Sequence, residues 1–114
     1  MHVSVVENAD GSVVVTVRGN LDIDSAAVLT ATLDQVLDRP EPRVVVDLSE
    51  VEFCDSMGLS AFVVGNNRAV ANGGWVRLAG PGEFLRELFE TLGLTRWLDI
   101  YASVPEALTA RRDG

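Results

Sequence analysis

An unbroken run of β-branched residues in the middle of the chain restricts its possible folds most strongly. Three consecutive valines, Val44, Val45 and Val46, stand between Pro42 and the polar residues 49–50. A strand with one face in water alternates apolar and polar residues, whereas a continuous apolar run is typical of a strand covered on both faces. The run therefore predicts a central strand inside a layered α/β structure.

Segments of strand and helix periodicity alternate on both sides of this run. Residues 8–11 have a turn composition, so the two β-branched runs that flank them predict an opening hairpin. Apolar residues at three- and four-residue spacing predict helices, with stop signals at residues 39–40, 73–74 and 93. The predicted strands are 3–6, 13–18, 43–48, 75–79 and 98–101, and the predicted helices begin near Ser25, Ser56, Glu83 and Ser103 and end before those stops or near Ala110.

The length and composition indicate one folded unit. The chain has 114 residues, of which 47% are hydrophobic, and no linker or repeat divides it, which predicts a single domain over residues 1–114. Strands that alternate with helices favour an α/β fold around a mixed sheet. The predicted order is β-β-α-β-α-β-α-β-α, with about four to five strands and about four helices.

The charge balance limits the partners of such a chain. Nine basic residues stand against 17 acidic ones, for a formal net charge of −8. Such a surface repels nucleic acid and anionic membranes and attracts a cationic patch on another protein. No apolar run approaches membrane-span length and no signal-like stretch is present, so we expect a cytoplasmic protein without nucleic-acid or membrane partners.

Few residues could support metal or cofactor chemistry. Cys54 is the single cysteine and His2 the single histidine, which leaves no Cys/His set for zinc and no internal disulfide. No phosphate-binding glycine motif occurs, so we expect no cofactor and no metal. Cys54 is predicted to be a small buried residue at a strand end, and both Trp75 and Trp97 are predicted to pack in the core.

Asp55 and Ser56 stand where a predicted strand turns into a helix. In the simplest interpretation one of them caps the helix, which stabilises it by about 1 kcal/mol. A helix start also offers unpaired backbone N–H groups that favour an anion. The layout is similar to the nucleophile elbow of hydrolases, but Cys54 replaces the first glycine and His2, at the terminus, is the sole candidate base. We therefore do not expect an enzyme.

Two segments carry a resemblance to a known family. Residues 44–49, a short spacer and residues 53–59, which read Phe-Cys-Asp-Ser-Met-Gly-Leu, resemble the signature of bacterial anti-sigma factor antagonists, the STAS-domain family. Residues 19–22, Gly-Asn-Leu-Asp, resemble that family's second recurrent turn. Length, element order and residues 92–94 also agree, so the similarity covers essentially the whole chain.

The resemblance implies a small non-enzymatic switch. Members bind an anti-sigma factor that is also a serine kinase, and so release a sigma factor; phosphorylation ends the binding and a serine phosphatase restores it. Carried over to this chain, Ser56 would be the phosphoacceptor, and the partner's contacts would be Asp22, Asp55, Ser56, Met57, Gly58 and Leu59. We expect the sheet to bring the turn of residues 21–25 beside Asp55.

Two residues depart from the family pattern. Met57 stands where the family usually has Ser or Thr, and Asn20 replaces the usual Glu of the turn. A flexible apolar side chain thus replaces a polar contact next to Ser56. The alternative function is a STAS adaptor subunit of a signalling or transporter assembly that is never phosphorylated.

Overall fold

Five strands form one mixed sheet in the same order as in the sequence. The structure is a computed structural model and describes residues 1–110. Its elements are β1 (His2–Glu7), β2 (Val13–Arg18), α1 (Ile23–Leu37), β3 (Arg43–Glu50), α2 (Ser56–Ala71), β4 (Trp75–Ala79), α3 (Glu83–Thr91), a 3-10 turn (Leu94–Arg96), β5 (Asp99–Tyr101) and α4 (Val104–Thr109). β1 pairs antiparallel with β2, and β2 to β5 pair in parallel. The predicted fold class and element order are confirmed.

The central strand β3 is covered on both faces, as its composition predicts. Val44, Val45 and Val46 are all fully buried. Val44 and Val46 belong to the main core, which contains residues of α1, α2 and α3, whereas Val45 belongs to a smaller cluster with residues of α4. Three helices thus cover one face of the sheet and the short C-terminal helix covers the other.

The two tryptophans differ in their surroundings. Trp75 is half-buried, packs against the smaller cluster, and lies under the guanidinium of Arg77 at 3.8 Å from the ring centre. Trp97 is 69% exposed, so its predicted core position is wrong. The 3-10 turn explains the error: the N–H groups of Trp97 and Leu98 both donate to Leu94 O, and the buried side chain is that of Leu98.

Element boundaries differ slightly from the predicted ones. α1 begins at Ile23 instead of near Ser25, β3 continues to Glu50, and the last strand begins at Asp99. The early start of α1 follows from its cap, because Asp22 accepts from the N–H groups of Asp24 and Ser25. The predicted end of the last helix near Ala110 agrees with the observed end at Thr109.

Candidate functional site

A short backbone pairing joins the segments that lead into α1 and α2. Leu21 and Cys54 form an isolated parallel bridge: Leu21 N–H donates to Phe53 O at 2.9 Å, and Asp55 N–H donates to Leu21 O at 2.9 Å. We call this pairing the Leu21–Cys54 bridge. It places Asp22 and Asp55, each the next residue in its segment, at the same edge of the sheet, as we expected from the sequence.

Gly58 allows the first turn of α2 to lie directly on this bridge. A Cβ atom at position 58 would stand 2.7 Å from Cys54 Sγ and 3.0 Å from Leu21 Cβ, distances at which a neighbour must shift. A side chain here would therefore push the two segments apart. The neighbouring Leu59 is 7% exposed and belongs to the main core. Gly58 and Leu59 thus lie beneath the surface, and their contact with a partner stays a prediction.

Two aspartates cap the two helices. Asp55 Oδ1 accepts from the N–H groups of Met57 at 3.0 Å and Gly58 at 3.1 Å. Asp22 Oδ1 accepts from the N–H groups of Asp24 and Ser25 and from the Ser25 hydroxyl. The two bonds from Ser25, first that of its amide and then that of its hydroxyl, hold the pKa of Asp22 below its usual range. The capping interpretation is therefore correct for Asp55, and Asp22 caps α1 in the same way.

Ser56 is exposed and is the first residue of α2. Within residues 1–110 its hydroxyl has no hydrogen-bond partner, and no side-chain bond connects it to His2, which lies on the edge strand β1. A serine hydroxyl needs a base to act as a nucleophile. In the described residues no base is bonded to the Ser56 hydroxyl.

The thiol beneath this site is buried. Cys54 is 3% exposed, so the predicted buried strand-end position is confirmed. Burial, with a smaller contribution from the charge of Asp55, raises the pKa of the Cys54 thiol to about 12. At neutral pH the thiol stays protonated, which argues against a redox role.

Three apolar side chains close in sequence to the two caps are exposed, and the exposure of Ile23 and Phe53 was not predicted. Ile23, Phe53 and Met57 are each about half exposed or more. Ile23 continues the three- and four-residue spacing of α1, so its pattern predicts a core residue. Met57 is apolar but lies off the core stripe of α2, and this mismatch is a signal that could have identified an exposed apolar surface.

The described part of the chain offers no membrane span or metal cluster. None of the helices in residues 1–110 is both long enough and apolar enough to cross a bilayer. Within the same residues no three His, Cys, Asp or Glu side chains are grouped so that they could hold a metal ion.

Comparison with known proteins gives consistent matches. Residues 4–102 match the family model described as Mlab, STAS domain. Anti-sigma-F factor antagonist RsfB of Mycobacterium tuberculosis is 26% identical over 109 residues, which cover 96% of this chain and 88% of that protein.

Solved structures match over a similar extent. An anti-sigma factor antagonist from Mycobacterium paratuberculosis is 30% identical with a TM-score of 0.84, over 98% of this chain and 96% of that one. An anti-sigma factor antagonist (STAS) domain protein from Planctomyces limnophilus, at 20% identity, shares the fold with a TM-score of 0.81, over 93% of this chain and 94% of that one.

Proposed function

The chain belongs to the STAS domain family, and from this premise we propose that it is an anti-sigma factor antagonist controlled by phosphorylation of Ser56. It binds an anti-sigma factor that is also a serine kinase, and this binding releases a sigma factor in the cytoplasm. The kinase supplies ATP, magnesium and the catalytic base, and this chain supplies the hydroxyl. A serine phosphatase removes the phosphate.

One observation carries this proposal: the exposed Ser56 hydroxyl, unbonded within residues 1–110, at the edge where two acidic helix starts meet. A kinase needs its acceptor oxygen free to enter the active site. The capping groups around it are fixed by their own hydrogen bonds, so the serine is presented on a rigid support.

Local electrostatics support a switch that needs no change of fold. A phosphate adds about −1.5 to −2 charge at neutral pH. It would arrive beside Asp55, which already takes two of the first N–H groups of α2, and near Asp22 and Asp24. A charge trapped without a partner at an interface built for a neutral hydroxyl opposes binding by several kcal/mol. Each 1.4 kcal/mol is tenfold in affinity, so binding falls by orders of magnitude.

Phosphorylation can be tested directly with a matched serine. The purified chain is incubated with Mg-ATP and each anti-sigma factor kinase of its source organism, and intact and peptide masses are measured. We expect one phosphate on Ser56, lost in Ser56→Ala and kept in Ser60→Ala, which removes an exposed serine of the same helix. A wild-type chain that stays unmodified with every kinase contradicts the proposal.

A second candidate function is a STAS adaptor subunit that is never phosphorylated. Met57 favours it, because an exposed apolar side chain stands beside Ser56 where the resemblance implies a hydroxyl. Under this function Ser56→Ala and Ser56→Asp would leave complex formation in the source organism unchanged. Co-purification of a tagged chain with stable subunits, equal for both variants, would favour the adaptor.

A further inference from the structure

A groove of about 420 Å³ runs between α1 and α2, beside the candidate site. We call it the α1–α2 groove. Ile23, Ala27 and Ala31 line it from α1, and Met57, Ala61 and Val64 line it from α2. Most of its lining is therefore aliphatic, and its small alanine side chains leave room for side chains from outside.

Three of the five large exposed apolar residues of α1 and α2 line this groove. Ile23 is 65% exposed, Met57 49% and Val64 59%. On α2, Met57 and Val64 lie seven residues apart, about two helical turns, on the side that lines the groove, and the buried Ala61 between them also belongs to the main core. Single exposed apolar residues are ordinary, but a continuous set that lines a cavity marks an interaction surface.

The groove is continuous with the candidate phosphorylation site. Met57 follows Ser56 and Ile23 follows Asp22, so both residues belong to the site and to the groove. Val64 lies eight residues beyond Ser56 on α2, about 12 Å along the helix at 1.5 Å per residue. A partner that covers Ser56 and continues along α2 enters the groove without turning.

The two ends of the groove differ in charge. At the far end Arg68 is paired with Asp34 at 2.6 Å. At the end near Ser56, Asp22 and Asp24 have no ion pair within residues 1–110. This end is complementary to basic side chains, whereas a second copy of this chain would bring its own net charge of −8.

We infer that the α1–α2 groove binds an apolar segment of the anti-sigma factor, with basic side chains at the end that lies next to Ser56. This inference rests on the proposed function. It adds a contact that is separate from the serine, so the partner is recognised at two places and phosphorylation acts on one of them.

The test measures affinity without ATP for each purified anti-sigma factor of the source organism. Val64→Arg places a charge in the groove, and we expect affinity to fall at least about 30-fold. Val70→Arg is the matched control, since Val70 is on the same helix, 47% exposed and outside the groove lining, and we expect a change within about twofold. Ala27→Trp fills the groove from α1 without a charge and should also weaken binding. Circular dichroism checks that all three variants are folded.

A double variant separates the groove from the serine. Effects of distant sites add. Val64→Arg should therefore lower the residual affinity of Ser56→Asp by the same factor as in the wild-type chain.

The outcomes distinguish the groove inference from the proposed function. If a partner binds and Ser56→Asp weakens this binding but Val64→Arg and Ala27→Trp do not, the groove inference is overturned and the proposed function stands. If Val64→Arg instead abolishes a dimer of this chain, the groove binds a second copy of the chain and the inferred anti-sigma factor segment is overturned. If no anti-sigma factor binds the wild-type chain, both are overturned.

Discussion

The starts of α1 and α2 lie side by side and use the same two residue types in opposite ways. Each has an aspartate at the cap and a serine in the first turn. In α1, Ser25 Oγ accepts from Asp22 N–H at 2.8 Å and lies 2.9 Å from Asn20 O, so this hydroxyl is part of the capping structure. In α2, Ser56 is one residue after the cap, and its hydroxyl has no such bond in the described residues.

The difference comes from spacing. A serine three residues after an aspartate can return a hydrogen bond to the cap, as in a capping box. A serine directly after the aspartate points away from the cap's amide. In α1 the serine hydroxyl is thus bonded within the cap, whereas in α2 it has no bond in the described residues. The start of α1 also carries a second acidic residue, Asp24, and the first turn of α2 has none.

The largest expected effect concerns partner binding. Ser56→Asp should lower affinity for the anti-sigma factor at least about 100-fold, because it leaves a charge unpaired at the interface. Asn67→Asp adds the same charge at an exposed residue of α2 outside the groove lining and should have a much smaller effect. Isothermal titration calorimetry measures both. Equal losses would mean that net charge, and not the position of Ser56, controls binding.

The next effect concerns the contact between the two helix starts. Gly58→Ala should lower the free energy of unfolding by about 1–3 kcal/mol, because the new Cβ meets Cys54 and Leu21. Gly82→Ala is the control, since a Cβ there meets no atom within 4 Å, and its effect should stay below about 1 kcal/mol. Urea unfolding gives both values. Equal stability of the two variants would contradict the close approach at the bridge.

The two serines themselves should differ in stability. Ser25→Ala removes the returned hydrogen bond of the capping box and should cost about 1 kcal/mol. Ser56→Ala removes an unbonded hydroxyl and should change stability by less than about 0.5 kcal/mol. Urea unfolding of the two alanine variants tests the comparison itself, and the reverse order would refute it.

The smallest effect concerns pH. The lowered pKa of Asp22 means that its ionised form stabilises the folded state above its usual pKa of 3.8, and that this contribution is lost as pH falls through the lowered value. Asp22→Asn keeps a capping oxygen without the charge. The small difference in melting temperature between wild type and Asp22→Asn should therefore shrink as the pH falls below 3.8 and through the lowered pKa of Asp22. If the difference in melting temperature persists in acid, it comes from the capping geometry and not from the charge of Asp22.

Much of the fold is predictable from local patterns, and the exceptions have a physical reason. The valine run of β3 and the glycine stops predict the strands and helices because those signals act over a few residues. Trp97 does not follow its pattern, because the choice between Trp97 and Leu98 depends on how a 3-10 turn rotates the chain.

The site was only partly predictable. The sequence suggested the cap of α2 and the position of Ser56 in the chain. The convergence of Ile23 with Met57 depends on tertiary contacts between segments more than 30 residues apart. Whether these residues bind a partner stays a prediction.

Because the Leu21–Cys54 bridge joins two distant segments, the proposed recognition surface is a discontinuous epitope. A synthetic peptide copied from one segment would lack the other segment and the backbone hydrogen bonds that fix its conformation. Such peptides should compete poorly with the intact domain. A mimic of this surface would need both segments, covalently linked to each other.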